Sequence, residues 1–406
     1  MRRAHRVRCV LLGSLPLVLP ALAGAQNLWH VDVNSTPPGL GTPTHPYTSI
    51  QYAIERPTTK SGDTVLVAPG TYVENLKDYP KTLHVRSRQG PLVTELRPLD
   101  PGAATVYWES FSTIEGFTLT GNASNGLNGG ALNLSSSSAV SCIVRDNPGL
   151  GVYAYSATLR NCTILGPGSG IVVEFFSDIT LKNTIVTSSF MPGALGTYAD
   201  YCAGALPAGT TGVGNLNGDP GLWDIPGARE RLRPGSPCID AGDPSSPPDP
   251  DGSRADIGAV PYDATFGPTA AYCAGKPNSS GCTPAIGALG TPSATSAAPF
   301  SITAVDEVTN KLGFLLLAVA PSAQPFQGGL LCLAPPFQRL GAQNSGGSAA
   351  CSGTYAFDMG AYIQSGADPA LVAGAQAYCQ WWNRDPQDPA GFGTGLSNAL
   401  VFGIAP

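Results

Sequence analysis

Four short apolar segments recur in the middle of the chain at offsets of 25, 20 and 22 residues. They are Phe117–Leu119, Cys142–Val144, Cys162–Ile164 and Thr184–Val186. This period is too short for a propeller blade and lacks the spacing of a leucine-rich repeat. It predicts one coil of a parallel β-helix per repeat, because stacked coils about 4.8 Å apart bury an inward face that a single coil cannot bury. We expect Phe117, Cys142, Cys162 and Thr184 to form one interior ladder.

The composition favours a β-rich protein with many turns. Of 406 residues, 50 are Gly and 38 are Pro, which leaves little room for long helices. Charged residues make up 12% and hydrophobic residues 42%, so the chain can bury a core and is not a charge-driven disordered segment. The alternative fold, an antiparallel sandwich, would show hairpin turns and alternation over longer strands.

The first 25 residues have the three parts of a secretory signal peptide. Four arginines precede an apolar stretch from Val10 to Leu22, and Ala23-Gly24-Ala25 matches the A-x-A cleavage pattern. The alternative is a membrane anchor, but this stretch is shorter than the roughly 20 residues that a span requires. We expect cleavage before Gln26, export to the cell surface or the medium, and no transmembrane segment in the mature chain.

Loss of the leader makes the chain more acidic. It removes four of the 22 basic residues and none of the 28 acidic ones, which leaves 18 basic residues against 28 acidic ones. A nucleic-acid partner requires a basic stripe or patch. We therefore expect no nucleic-acid partner.

A short helix is predicted near the N-terminus of the mature chain. Ile50, Ala53 and Ile54 have the i, i+3, i+4 spacing of one helical face, and Thr48 or Ser49 can cap it. The strand-like residues 63–68 follow. This order suggests a helix that closes one end of the stacked coils.

Two pairs of stretches resemble a known family. Residues 46–54 (PYTSIQYAI) and 62–74 (GDTVLVAPGTYVE) are similar to the N-terminal signature of secreted bacterial β-helix proteins of the pectin lyase-like superfamily. Residues 232–243 (LRPGSPCIDAGD) and 249–259 (DPDGSRADIGA) resemble the segment that closes such helices. The resemblance implies an all-β fold, with a right-handed parallel β-helix and an N-terminal capping helix over residues 26–263.

Residues 264–406 are rich in Ala, Gly, Pro and Ser and contain five cysteines. They predict a separate, smaller β-sandwich-like domain. Residues 380–386 (QWWNRDP) and 396–399 (LSNA) resemble a terminal domain that recurs in secreted bacterial proteins. This resemblance implies a role in surface attachment or stability.

No catalytic residue is assigned from the sequence. Residues 70–74 match the G-x-Y-x-E motif of pectin methylesterases, with Gln51 upstream, but the D-F-I-F-G and G-R-P-W motifs of that family are missing. A lyase would need acidic Ca²⁺ ligands and a basic residue, and an inverting hydrolase would need clustered carboxylates. The middle coils offer only scattered charges, namely Arg145, Asp146, Arg160, Asp178 and Lys182.

One acidic loop could bind calcium. Asp249, Asp251 and Asp256 surround a Gly turn, as in compact oxygen-ligand loops, although the EF-hand pattern is incomplete. In the alternative, structural interpretation these side chains cap turn amides, and Asp256 pairs with Arg254 or Arg233. No other cofactor is expected.

Nine cysteines remain after cleavage, and an oxidising compartment favours their pairing. Proximity in the sequence predicts Cys273–Cys282, Cys332–Cys351 and Cys202–Cys238, with Cys379 the free thiol. Cys142 and Cys162 lie on consecutive coils, close enough to bond, although parallel side-chain directions disfavour the required dihedral angle.

The sequence predicts a secreted or cell-envelope protein, non-catalytic, with a structural, adhesive or glycan-binding role. Its partner would be an extracellular polysaccharide or a cell-envelope component. Aromatic rings that could stack on sugars are Tyr153, Tyr155, Phe175, Phe176, Trp381 and Trp382. The alternative is a polysaccharide lyase or glycoside hydrolase, which would require acids and a cation grouped on one coil face.

Overall fold

A computed structural model describes residues 26–78, 80–126, 129–166 and 170–406. The predicted signal peptide lies outside the described residues. The first elements, in chain order, are β1 (Leu28–Val31), α1 (Ile50–Glu55), β2 (Thr64–Val67), β3 (Gly70–Val73), β4 (Leu76–Lys77), β5 (His84–Ser87), β6 (Thr94–Arg97), β7 (Val106–Trp108), β8 (Thr113–Glu115), β9 (Thr118–Leu119), β10 (Leu132–Ser135), β11 (Ser138–Val140), β12 (Ile143–Val144), β13 (Val152–Tyr155), β14 (Ala157–Arg160), β15 (Thr163–Ile164), β16 (Ile171–Val173), β17 (Asp178–Lys182), β18 (Ile185–Val186), β19 (Phe190–Met191), β20 (Gly196–Asp200), β21 (Ala203–Gly204) and β22 (Leu216–Asn217).

These strands form a parallel β-solenoid with three sheets. The first sheet has the order β1-β2-β5-β8-β11-β14-β17-β20, the second β22-β21-β18-β15-β12-β9-β6-β3, and the third β19-β16-β13-β10-β7-β4. The chain visits the sheets in rotation, so each coil adds one short strand to each sheet. The six strands of the third sheet mark about six coils.

The predicted interior ladder is confirmed. Backbone bonds run from the amides of Ile143, Thr163 and Ile185 to the carbonyls of Phe117, Cys142 and Cys162, each one coil earlier. The strand register aligns the second and third residues of the segments from coil to coil, and the side chains of the first residues, directly before them, are fully buried. The 20 to 25 residue period therefore corresponds to one coil.

Helix α1 covers the first coil, as predicted. Ile50, Ala53 and Ile54 are buried in the solenoid core, and the Ser49 side chain caps the helix by accepting from the Tyr52 amide. Glu74 accepts hydrogen bonds from the Ser49 hydroxyl and from the first two helical amides. The glutamate of the G-x-Y-x-E motif thus satisfies helix donors that would otherwise lack partners.

The segment predicted to close the solenoid runs back along its side. Ala259 and Val260 pack on Ile143, and the Ala259 amide donates to the Thr163 hydroxyl at 2.8 Å. Since Ile143 and Thr163 project outward from the second sheet, this segment covers an apolar stripe that would otherwise face water.

Ten further strands and one helix make up the C-terminal module. They are β23 (Thr269–Tyr272), β24 (Ala285–Leu289), β25 (Ser301–Glu307), β26 (Leu312–Ala318), β27 (Pro321–Phe326), β28 (Gly329–Leu333), β29 (Gln338–Asn344), β30 (Gly353–Asp358), α2 (Met359–Gln364), β31 (Gln376–Arg384) and β32 (Thr394–Gly403). Antiparallel sheets β23-β32-β31-β26-β29 and β24-β25-β30 share one core, with the hairpin β27–β28 outside it. None of the described helices has the length and apolarity needed to cross a membrane.

The predicted domain boundary at residues 263 and 264 stays a prediction. The chain between the last solenoid strand and the module contacts both units, because Trp223 packs with Val401 whereas Leu232 packs with Ile185.

The predicted cysteine pairing is wrong. The disulfides are Cys273–Cys332 and Cys282–Cys351, because the antiparallel strands bring together residues 59 and 69 positions apart. Cys202 and Cys238 are both free: Cys202 lies in the solenoid interior, whereas Cys238 packs in a separate cluster that includes Leu232 and Ile257. Cys379 is free and buried, as predicted, and so are Cys142 and Cys162.

Candidate functional site

The scattered acids and cations of the middle coils do not form one group in the structure. Asp146 follows β12 on the second sheet, whereas Asp178 begins β17 on the first. Arg160 and Lys182 are cross-strand neighbours on the first sheet, and Lys182 forms an ion pair with Asp243. The two aspartates therefore cannot act as a pair.

A charged cleft forms where β12 meets the loop that follows the solenoid. Arg145 pairs with Asp146, and its Nε lies 3.8 Å from the buried Glu230 carboxylate. The cleft has a volume of about 310 Å³, and its charged lining residues are Arg145, Asp146, Asp224 and Arg229. The sequence could not indicate this group, because Glu230 lies 85 positions after Arg145.

The acidic loop uses its carboxylates to bind backbone amides. Asp249 accepts from the Asp256 amide at 2.8 Å, and Asp251 from the Ser253 amide at 2.9 Å. The two oxygens of Asp256 accept from the amides of Asp240 and Tyr262. Burial, and then the neighbouring Asp256, raise the pKa of Asp249 to about 6. These contacts match the structural interpretation of the loop.

Neither arginine suggested for Asp256 pairs with it. Arg254 donates to the Gly242 carbonyl, and Arg233 pairs with Asp219. Across the described ranges, no three His, Cys, Asp or Glu side chains are grouped so as to hold a metal ion. The calcium site predicted for this loop stays a prediction.

An aromatic groove lies on the outer face of the larger sheet of the C-terminal module. Phe314 on β26 and Trp382 on β31 are cross-strand partners, and their rings stack with centroids 4.7 Å apart and planes 20° apart. Both rings are half-buried. Strand alternation sends the neighbouring Trp381 to the opposite face, where it is buried against Tyr355.

The hairpin β27–β28 forms one wall of this groove. Gln380 holds the hairpin on the sheet by accepting from the Cys332 amide and donating to the Leu330 carbonyl. The Gln327 side chain at the hairpin tip accepts from the indole nitrogen of Trp382 at 3.3 Å. The groove has a volume of about 340 Å³, and its lining residues are Leu312, Phe314, Leu316, Phe326, Gln327, Leu331, Phe337, Arg339, Trp382 and Arg384.

A buried lysine fixes the hairpin tip. The Lys276 ammonium donates to the Gln327 and Thr394 carbonyls and to the Asp388 carboxylate at 2.6 Å. Both members of this ion pair are buried. Because all three donors of the ammonium are used, the wall is held in place before any ligand arrives.

The groove is electropositive. Arg339 and Arg384 are exposed at its rim, and the Arg339 guanidinium lies 5.3 Å from the Phe314 ring centroid. No acidic side chain is among the residues that line the groove. Within the described part of the chain neither arginine forms an ion pair, so both are available to an anion.

The other predicted aromatic residues are dispersed on the solenoid. Tyr153 is buried and donates to the Glu174 carboxylate, whereas Phe175 and Phe176 are exposed with centroids 4.9 Å apart. Tyr155 is partly exposed on the third sheet. Sequence reasoning identified Trp382 but missed Phe314, Arg339 and the hairpin, since five separate strands contribute to the groove.

No protein-family model matches the chain, and no curated protein matches it. Among solved structures, the pectate lyase Pel9A is similar over 59% of this chain and 97% of its own, with 11% identity and a TM-score of 0.34. The pectin methylesterase PemA from Erwinia chrysanthemi is similar over 47% of this chain and 58% of its own, with 12% identity and a TM-score of 0.29. The fold assignment rests on the strand register described above.

Proposed function

We propose that this chain is an exported, non-catalytic protein that binds an acidic polysaccharide through the aromatic groove of its C-terminal module. The observation that carries the proposal is the stacked Phe314–Trp382 pair beside two arginines that have no acidic partner among the described residues. The solenoid would then act as a rigid support in a structural or adhesive role.

The chemistry of the groove matches a uronate sugar. Aromatic side chains offer apolar surface at a low entropy cost, and a pyranose presents C–H groups that can pack on such a ring. A guanidinium binds a carboxylate through two parallel hydrogen bonds. Arg339 and Arg384 at the rim supply this contact, whereas a neutral glycan would leave both cations without a partner.

The predicted leader and the two disulfides support export. Disulfides persist in oxidising compartments outside the cytosol. Both link strands or loops within the module that carries the groove. Cys332 lies on the hairpin itself, so the Cys273–Cys332 bond helps to hold the groove wall.

The charged cleft favours a second candidate function, that of a polysaccharide-active enzyme. Two carboxylates of different exposure beside one arginine are the elements of an acid–base site. Against this, Arg145 forms ion pairs with both acids, and its contact with Glu230 helps to hold the loop to the solenoid.

A binding and product screen tests both candidates. The purified chain is incubated with polygalacturonate, alginate and neutral galactan, and bound and cleaved material are measured by affinity electrophoresis and mass spectrometry. We expect retention by the two acidic polymers only, with no new product. Release of unsaturated or reducing ends that is lost in Glu230→Gln would instead establish the enzyme.

A further inference from the structure

A second polar cluster lies inside the C-terminal module, at the end of β31. Glu307 is the last residue of β25, Asn383 is on β31, and Asp385 directly follows that strand. Each of the three is 1% exposed. Carboxylates are almost never buried to this extent without a partner.

Hydrogen bonds within the cluster leave two oxygens unused. The Asn383 amide nitrogen donates to Glu307 Oε2 at 2.6 Å. Asp385 Oδ2 accepts from the Ser279 amide at 2.8 Å. Asn383 Oδ1 and Asp385 Oδ1 are buried and have no hydrogen-bond partner among the described residues. An unused buried acceptor is destabilising.

The negative charge of the cluster also lacks compensation. The buried lysine of the module is already paired with Asp388. In the described ranges neither Glu307 nor Asp385 forms an ion pair.

We propose that Glu307, Asn383 and Asp385 bind a calcium ion. The cluster offers two carboxylates and an amide oxygen, a donor set that suits calcium, whereas zinc prefers nitrogen and sulfur ligands. The ion would satisfy both unused oxygens and the uncompensated charge together. In the loop of Asp249, Asp251 and Asp256, by contrast, backbone amides already use the carboxylates.

The proposed ion would also act on the groove. Arg384 lies between Asn383 and Asp385 in sequence and is exposed at the groove rim, whereas its two neighbours are buried. Fixing both neighbours restricts the strand end that presents Arg384. Calcium should therefore stabilise the module and tighten the binding of an anionic ligand.

Thermal unfolding of the full chain in excess calcium chloride or in chelator tests this site. We expect calcium to raise the melting temperature by about 5 °C or more, because a ligand specific to the folded state stabilises it by mass action. Glu307→Gln and Asp385→Asn should each remove this shift. Asp306→Asn, a change at the exposed neighbouring carboxylate, should retain it.

Direct titration of calcium into each folded variant measures binding separately from any change in stability. The variant Asp251→Asn shows whether calcium binds at the loop of Asp249, Asp251 and Asp256 instead of at the buried cluster. Loss of binding in Glu307→Gln, with binding retained in Asp251→Asn, supports the site. Absence of a calcium effect in the unmodified chain, or loss of the effect only in Asp251→Asn, would overturn the proposal.

Discussion

Trp381 and Trp382 are adjacent in sequence, yet their rings lie on opposite faces of β31. Trp381 is fully buried and stacks on Tyr355, with centroids 4.9 Å apart, whereas Trp382 is half-buried and stacks on Phe314 in the groove. One ring therefore belongs to the core of the module and the other to its binding surface. Substitutions at the two positions should have separable effects.

Trp381→Ala should destabilise the module by roughly 3 to 5 kcal/mol, since it empties a large volume in a closed core. Trp382→Ala should cost about 1 to 2 kcal/mol, because its ring already contacts solvent. Urea unfolding followed by tryptophan fluorescence measures both values. Equal losses would contradict the assignment of Trp382 to the groove.

Lys276→Met should destabilise the module by about 3 to 5 kcal/mol, because it leaves Asp388 buried and unpaired. The double variant Lys276→Met, Asp388→Leu should recover most of this loss. The matched control is the exposed pair of Arg233 and Asp219, where Arg233→Gln should cost less than about 1 kcal/mol. A double variant as unstable as the single one would contradict this prediction.

Glu115→Gln should reduce the sensitivity of the solenoid to acid. The hydrogen bond with His84, at 2.6 Å, lowers the pKa of Glu115 in the folded chain. A lowered carboxyl pKa adds stability above the unfolded value of about 4.3, and this stability is lost as the pH falls through the folded pKa. Because a third of the Glu115 side chain is exposed, we expect this contribution to the free energy of unfolding to be less than about 1 kcal/mol at pH 7.

The control for this change is Glu55→Gln, at an exposed carboxylate on α1. Free energies of unfolding measured between about pH 3 and 7 should converge at the acid end for Glu115→Gln and the parent chain. A constant offset across that range would contradict the role assigned to the hydrogen bond between Glu115 and His84.

Peptide mapping without reductant should recover Cys273 linked to Cys332 and Cys282 linked to Cys351. Both bonds lie within the module, so no linked pair should join it to the solenoid. Recovery of a Cys202–Cys238 peptide would contradict the placement of Cys202 in the solenoid interior.

The solenoid could be predicted because its information is local and periodic. Phe117, Cys142 and Cys162 recur at one coil per repeat, so their register follows from spacing alone. Helix α1 was predicted for the same reason, since its cap and apolar face lie within one short segment.

The groove and the cysteine pairs depend on contacts between distant segments. Phe314 meets Trp382 across 68 positions, and Cys282 meets Cys351 across 69. Proximity in sequence was therefore a poor guide to pairing. The buried cluster was missed because nothing local distinguishes Glu307 from an exposed glutamate such as Glu55.

Calorimetric titration of a galacturonate oligosaccharide tests the central claim most directly. The parent chain should bind with a dissociation constant of about a millimolar, or roughly −4 kcal/mol. Trp382→Ala should weaken binding at least about tenfold. Phe175→Ala, a change at an exposed ring on the solenoid, should leave it unchanged. Equal affinity in the parent chain and Trp382→Ala, or no binding by the parent chain, would contradict the assignment of the groove.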